Sequence, residues 1–472
     1  MVKHMDRLSS VDASFLAQER EGSHMHIGGL LIFEGPAPTR EEFEAHLETR
    51  LHLVPRYRQK VSFPRFEMGR PLWVDDPSFN LGYHVRHTAL PEPGSVEQLR
   101  LLAGRIFSQR LDRSKPLWEL WLVEGYDRDK FVIINKTHHS LVDGVSGSDL
   151  TTVLFDLERE GTEVPAPERT WSPSPEPSDA DVVAKGVGEL ATTPLSLARR
   201  ALGAVATPRH TVERAGEAAA GIGEVVWGGL SPAPQTPLNG PIGPHRRMTW
   251  ARVPLADLRA VKKKLGGTIN DVFLTVVTGA LHHWLRSRGV RTEGLEIRSA
   301  VPLSVRLAGD EDALGNQITI MIGRLPTFAD DALERHGLVK ESMKDLKESK
   351  QALGAEVIAS LEDFAPPTIF AQASRLHFST RMYNLLTTNV PGPQFPLYLL
   401  GSEMLELVPI AFLAPEQRLA VASMSYNGSV TISLIGDYDA MPDLETLADL
   451  VIDELAVLRD AAKPDKMATA TS

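Results

Sequence analysis

Apolar and polar positions follow two periods along the chain and divide it into strand-like and helix-like pieces. HIGGLLIFEG, from His26, is a short apolar run of strand length, and the polar TREEFEAHLETRL after it is compatible with a helix. Ser95 and Gln98 form a capping-box pair ahead of Val96, Leu99, Ala103 and Ile106, whose spacing predicts a helix with one apolar stripe. LWELWLVEGYDRDKFVIINKT then reads as strand, polar turn, strand. Ser146 and Asp149 repeat the capping pattern before Leu150, Val153, Leu154 and Leu157 at helical spacing. From His245 to Leu458 the same mixture returns. EIRSAVPLSVRL, NQITIMIGRL and VTISLIGDY are strand-like, and Thr268 and Asp271 open a helix carrying Phe273, Val276, Val277, Ala280 and Trp284. Strands alternating with helices imply α/β layers, with no visible sequence repeat between the halves.

The pattern breaks once. EVPAPERTWSPSPEPSDAD is rich in proline, serine and acid, the composition of an exposed connector. An Ala-rich, Gly-interrupted stretch follows and ends at the turn-rich SPAPQTPLNGPIGP. The chain therefore divides into a mixed domain over residues 1–160, a connector and helical linker over 161–244, a second mixed domain over 245–460, and a tail over 461–472 expected to be disordered. In the linker, Leu195, Leu197, Leu202 and Val205 beside Arg199 and Arg200 suit either an interdomain bridge or a surface-seeking segment that touches lipid.

Composition narrows the class of function. A formal charge of -11 over 472 residues argues against a general nucleic-acid binder, so any anionic ligand must find a local basic patch. Zero cysteines removes disulfides, Cys-ligated zinc and a cysteine nucleophile, and suits a reducing cytoplasm. The charged N-terminus has no signal-peptide core. The apolar LYLLGSEMLELVPIAFLAP is interrupted by Glu403 and Glu406, and no stretch reaches the roughly 20 residues a membrane-spanning helix needs.

FVIINKTHHSLVDGVSG, from Phe131, brings chemistry to a strand end. Alternation along a strand puts His139 on the face of Phe131, Ile133, Asn135 and Thr137, and His138 on the other. A neutral imidazole in a strand-to-helix loop can accept a hydroxyl proton near neutral pH, and Gly144 lets backbone or ligand approach closely. Asp143 can orient an imidazole or hold the loop through an arginine; spacing leaves both open. A metal site gains no support from two adjacent histidines that point apart, and no GxSxG elbow occurs for a serine nucleophile.

HHSLVDG resembles the HHxxxDG motif of the acyltransferase superfamily that includes chloramphenicol acetyltransferase and peptide-synthetase condensation domains. PLWELWLVEG from Pro116, NDVFLTVVTGAL from Asn270, VPLSVR from Val301, LGNQ from Leu314 and TNVPGP from Thr388 narrow the resemblance to the bacterial wax ester synthase/diacylglycerol acyltransferase family, in order and over nearly the whole chain. The resemblance implies two chloramphenicol-acetyltransferase-like α/β halves with the active site between them. It implies a long-chain acyl-CoA and either a fatty alcohol or diacylglycerol as substrates, with no cofactor. By the same resemblance His139 is the general base, His138 supports the loop, and Asp143 pairs with an upstream arginine, for which Arg58 is the candidate.

Asn270 is a candidate polar contact for the reacting carbonyl, whereas Asp271 can equally cap a helix. Pro116, Leu117 and Trp118 are candidates for packing at the channel wall. Lys262, Lys263, Lys264, Arg246 and Arg247 are candidates for the CoA phosphates, against the plainer reading of a solvated face. Insoluble products imply a peripheral place at the inner face of the membrane or on lipid bodies. The competing readings are a non-catalytic lipid-body scaffold and a condensing enzyme of the same superfamily.

Overall fold

The computed structural model describes residues 6–63, 71–141, 153–175, 232–304, 318–349 and 382–462. The first half runs β1 (Asp6–Arg7), α1 (Ser10–Gln18), β2 (His26–Glu34), α2 (Arg40–Glu48), β3 (Gln59–Ser62), β4 (Leu72–Asp75), α3 (Leu81–His84), β5 (Val85–Ala89), α4 (Val96–Ser108), β6 (Trp118–Tyr126) and β7 (Lys130–His138). The second half runs β8 (Arg246–Pro254), α5 (Leu255–Leu265), α6 (Ile269–Ser287), β9 (Ile297–Ser304), β10 (Ile318–Leu325) and α7 (Ala332–Glu348). It closes with β11 (Leu385–Val390), β12 (Tyr398–Leu399), β13 (Ser402–Ile410), β14 (Leu419–Tyr426), β15 (Ser429–Asp437) and α8 (Leu444–Ala461).

The capping pairs read from the sequence form. Ser95 and Gln98 open α4, and Thr268 and Asp271 open α6, each side chain bonding back to the other residue's main chain. The stripe expected through Leu157 does not extend that far. Asp156 leaves the helix to bridge with Tyr398 and to accept a 2.9 Å bond from buried Arg50, which leaves Leu157 64% exposed. The tail from residue 463, the segment Leu195–Val205 and the loop with Asp143, Gly144, Ser146 and Asp149 lie outside the described residues.

Two six-stranded sheets carry the fold. One has the order β12-β13-β2-β7-β6-β5 and the other β10-β9-β11-β14-β15-β8. Alternation decides what each face of β7 meets. Phe131 and Ile133 join a core with Phe43, Leu47 and Trp118, while Val132 and Ile134 join Leu30 and Ile32 in a core shared with Met248, Trp250, Leu386 and Ala420 of the second half. The two sheets thus face each other across common apolar packing, sealed on one side by α4, whose Ser108 Oγ accepts from the Arg246 N–H at 2.9 Å.

The halves also exchange a strand. β13 pairs antiparallel with β2, from Met404 opposite Phe33 to Ile410 opposite Gly28, so the chain divided at residues 160 and 245 is not so divided in space. The outer face of the second sheet is covered by α5 to α8 around Val272, Phe273, Trp284, Leu447 and Val451. Inside that layer the buried Arg335 and Glu454 form an ion pair at 2.5 Å, with His283 on the same carboxylate at 2.9 Å. Gly279 of α6 makes room for it, since a Cβ there would stand 2.0 Å from Glu454 Oε2.

Candidate active site

β7 delivers the histidine pair and main-chain bonds fix where it ends. The His138 N–H donates to the Leu117 carbonyl at 2.9 Å, and the His139 N–H donates to the Met25 carbonyl at 3.0 Å, where a short 3-10 turn over His139–Leu141 begins. The two imidazoles then have different neighbours, and His139 belongs to the turn, so strand alternation no longer decides where it faces.

His138 is buried in protein. The Ser140 N–H donates to its Nδ1 at 3.1 Å, with Ser140 Oγ at 2.7 Å, so a neutral ring carries its proton on Nε2. That nitrogen is buried and has no partner among the described residues. Burial, then the neighbouring His139, lowers its pKa to about 3. His26 stands opposite in register on β2, its ring 5.9 Å away, and its Nε2 accepts from the Leu111 N–H at 3.5 Å while its Nδ1 is likewise buried and unpartnered.

His139 is half-buried and lies among rings. It stacks on Phe15 of α1 at 4.0 Å and meets Phe412 edge-on at 5.7 Å. Burial lowers its pKa to about 4, opposed only by its own backbone carbonyl, which favours a ring proton. Nδ1 is buried and has no hydrogen-bond partner among the described residues. The other ring nitrogen, Nε2, has a lone pair to offer when Nδ1 holds the proton. At neutral pH the imidazole is uncharged and can act as a base.

Other elements brace this strand. Lys136 is buried and donates from Nζ to the Ile106 and Gln109 carbonyls at 2.9 and 2.5 Å, a cation at the C-terminus of α4, with burial lowering its pKa to about 8. Pro116, Leu117 and Trp118 are buried; beyond the Leu117 carbonyl, the Trp118 indole N–H donates to the Tyr57 carbonyl at 2.8 Å and its ring stacks on His84 at 4.4 Å. The triplet thus positions the motif strand. Arg58 sits 5.0 Å over the Trp171 ring and 6.0 Å from Phe79, beside an open cavity of about 640 Å³, and Asp143, its expected partner, is outside the described residues.

Asp271 caps α6, accepting the Thr268 N–H at 2.7 Å, while Asn270 accepts a bond from Asn389 of the TNVPGP stretch. Of the cations considered for phosphate, Lys262, Lys263 and Lys264 are exposed in the last turn of α5, where their charge complements the helix dipole. Arg246 departs from that expectation: it is buried between the halves, donating to the Gly243 and His245 carbonyls at 2.8 Å, with its pKa lowered to about 10 by burial. Arg247 lies 4.4 Å over the Tyr438 ring. Phe15, His26 and Phe412 went unnoticed in the sequence, because each meets the histidines through tertiary approach and no local period marks it.

Among the described residues no group of three or more His, Asp or Glu is placed to hold a metal ion, and no helix is long and apolar enough to cross a membrane.

Known proteins share this architecture. The family model described as the wax ester synthase/diacylglycerol acyltransferase catalytic domain matches residues 8–273, and that of the family's C-terminal domain matches residues 314–459. A protein of Mycobacterium tuberculosis named a probable diacylglycerol O-acyltransferase is 33% identical over 473 residues, covering 98% of both chains. A second from that organism, similarly named, is 30% identical over 458 residues, covering 94% of this chain and 96% of the relative. The solved wax ester synthase/diacylglycerol acyltransferase of Marinobacter aquaeolei VT8 superposes with a TM-score of 0.66 at 26% identity, over 97% of this chain and 100% of that one. The first condensation domain of the CDA synthetase, at 15% identity and a TM-score of 0.59 over 98% of each chain, shares the fold. With two family models and full-length relatives in agreement, this chain belongs to the wax ester synthase/diacylglycerol acyltransferase family.

Proposed function

We propose that the protein transfers a long-chain acyl group from acyl-CoA to diacylglycerol or a long-chain alcohol, with His139 as the general base. The observation that carries this reading is the state of His139: neutral, with Nδ1 buried and unbonded among the described residues, and the ring held between Phe15 of the first half and Phe412 of the second. Nε2 takes the hydroxyl proton as the alcohol oxygen attacks the thioester carbonyl carbon. The C–S bond then breaks and the imidazolium returns the proton to the CoA sulfur, giving ester and CoA. No acyl-enzyme is needed, in keeping with a chain that has no cysteine. Acyl-CoA is consumed as a substrate, and this chemistry calls on no metal or other cofactor.

His138, held by Ser140 and by the Leu117 carbonyl, supports the turn, as Asp143 does by family resemblance, and Gly144 gives the backbone room to turn. Because both kinds of product are nearly insoluble, the enzyme works at a lipid surface, the inner face of the membrane or a lipid body. Incubation with palmitoyl-CoA and either hexadecanol or dioleoylglycerol tests the reading: free CoA and a matching amount of ester are expected, and the absence of both with either acceptor would refute it.

A further inference from the structure

A base that accepts a proton from an alcohol accepts one from water as readily. The water oxygen would attack the same carbonyl carbon, the C–S bond would break, and His139 would hand the proton to the CoA sulfur, leaving a free fatty acid and CoA. The site must discriminate between an alcohol and a smaller, more abundant nucleophile, and an apolar surround that keeps water off the base is one way to do so.

Two phenyl rings meet at the candidate base. Phe15 stacks on His139 at 4.0 Å with an interplanar angle of 21°, Phe412 stands edge-on at 5.7 Å, and the two phenyl rings contact each other at 6.1 Å. They come from opposite halves. Phe15 lies on α1, 4% exposed, whereas Phe412 follows the end of β13, the strand that the second half lends to the first sheet.

Phe412 also lines a crevice between the halves, shared with His24, Met25, His26, Arg246 and Ile435. The crevice is small, about 10 Å³, which is on the order of the room one water needs. Its wall is polar, for His26 is 3% exposed with an Nδ1 that lacks a partner. Phe412 thus touches both His139 and a crevice with polar groups that attract water.

We propose that Phe15 and Phe412 form a ring clamp on His139 that sets the choice of alcohol over water, with Phe412 in contact with both the base and the crevice at His26 and Arg246. The inference rests on the reading of His139 as the base. Both phenylalanines are positioning and specificity residues. Removing the Phe412 ring joins the polar crevice to the base and admits a nucleophile that the wild-type site excludes.

The test uses the full chain with palmitoyl-CoA and dispersed hexadecanol, following thiol release and ester formation together. In the wild type the two are expected to be nearly equal. Phe412→Ala and Phe15→Ala are expected to raise the ratio of hydrolysis to ester formation about tenfold or more, the factor that corresponds to ~1.4 kcal/mol between the two barriers. Phe412→Leu, which keeps most of the apolar volume but not the reach of the ring, is expected to raise it several-fold. That variant decides the matter if the alanine variant does not fold, as judged by melting temperature.

A uniform fall in both products with the ratio unchanged would show that the rings only support the fold, and would overturn the inference. Failure of the underlying reading looks different, since it would appear as His139→Ala forming ester at the wild-type rate whatever the clamp variants do.

Discussion

Asn389, near the end of β11, donates from Nδ2 to Oδ1 of Asn270 in the first turn of α6, at 3.3 Å. The bond engages the amide oxygen of Asn270, and its NH₂ group has no partner among the described residues. Two stretches separated by more than a hundred residues therefore act on one side chain. If that donor serves the reacting carbonyl, Asn389→Ala should lower kcat about tenfold, Asn270→Ala at least as much, and the double variant no further, a coupling of about 1 kcal/mol or more. Losses that simply multiply in the double variant would separate the two residues.

His139→Ala should give a folded enzyme slowed by about 10²- to 10⁴-fold, the usual cost of losing a general base. His138→Ala should fail differently. It removes the acceptor of the Ser140 N–H and opens a cavity, with an expected loss of about 2–4 kcal/mol in stability. Single-turnover ester formation at saturating acyl-CoA, read beside urea midpoints, distinguishes the two. A greater loss of rate in a folded His138→Ala would reassign the base.

The acid limb of the rate profile should lie well below the ordinary histidine range. Burial holds His139 at a pKa of about 4, and the charged groups nearby, Arg113 and Arg110 engaged by Glu19 together with His24, bear on His138. A base lowered in this way stays neutral as pH falls, so kcat/KM should be level from pH 7 to 5 and drop only towards pH 4. A limb centred on 6.5 would mean that another group governs the reaction.

Stability should respond to the same burial over a wider range. His24, His84 and His139 have pKa values lowered to about 4 and His138 to about 3, whereas each returns to about 6.5 on unfolding. The unfolded chain thus binds more protons in this window. Stability is fully present above about pH 6.5 and is lost as pH falls through 4, each group contributing up to ~1.4 kcal/mol per pH unit in between. Urea midpoints should already decline from pH 6.5 to 5, above the range in which ordinary carboxylates titrate.

Gly279→Ala should be among the costliest small substitutions. Its Cβ would displace the Glu454 carboxylate from Arg335, and breaking a buried pair typically costs about 3–5 kcal/mol. Thermal melting should show the loss, while the rate per folded molecule stays near wild type, because the pair belongs to the helical layer behind the second sheet.

Local rules were legible in the sequence and long-range ones were not. The capping pairs at Ser95 and Thr268 and the strand-turn-strand around residue 127 each depend on neighbours within four residues, and they form as read. By contrast, the crossing of β13 to β2, the burial of Arg246 and the meeting of Phe15 with Phe412 are decided by segments far apart in the chain. Arg246 shows the difference well: a charged pair reads as surface until main-chain carbonyls at its own turn satisfy it in the interior.

The strand exchange makes the enzyme indivisible. Residues 8–273 and 314–459 match separate family models, yet a protein cut between them would leave the backbone of β2 without the partner that β13 provides, a bare sheet edge prone to pairing with other chains. Neither piece is a portable module. Recombining halves from different relatives would have to carry residues 398–410 with the first half, or match them to its β2 position by position, before any question of substrate preference could be asked.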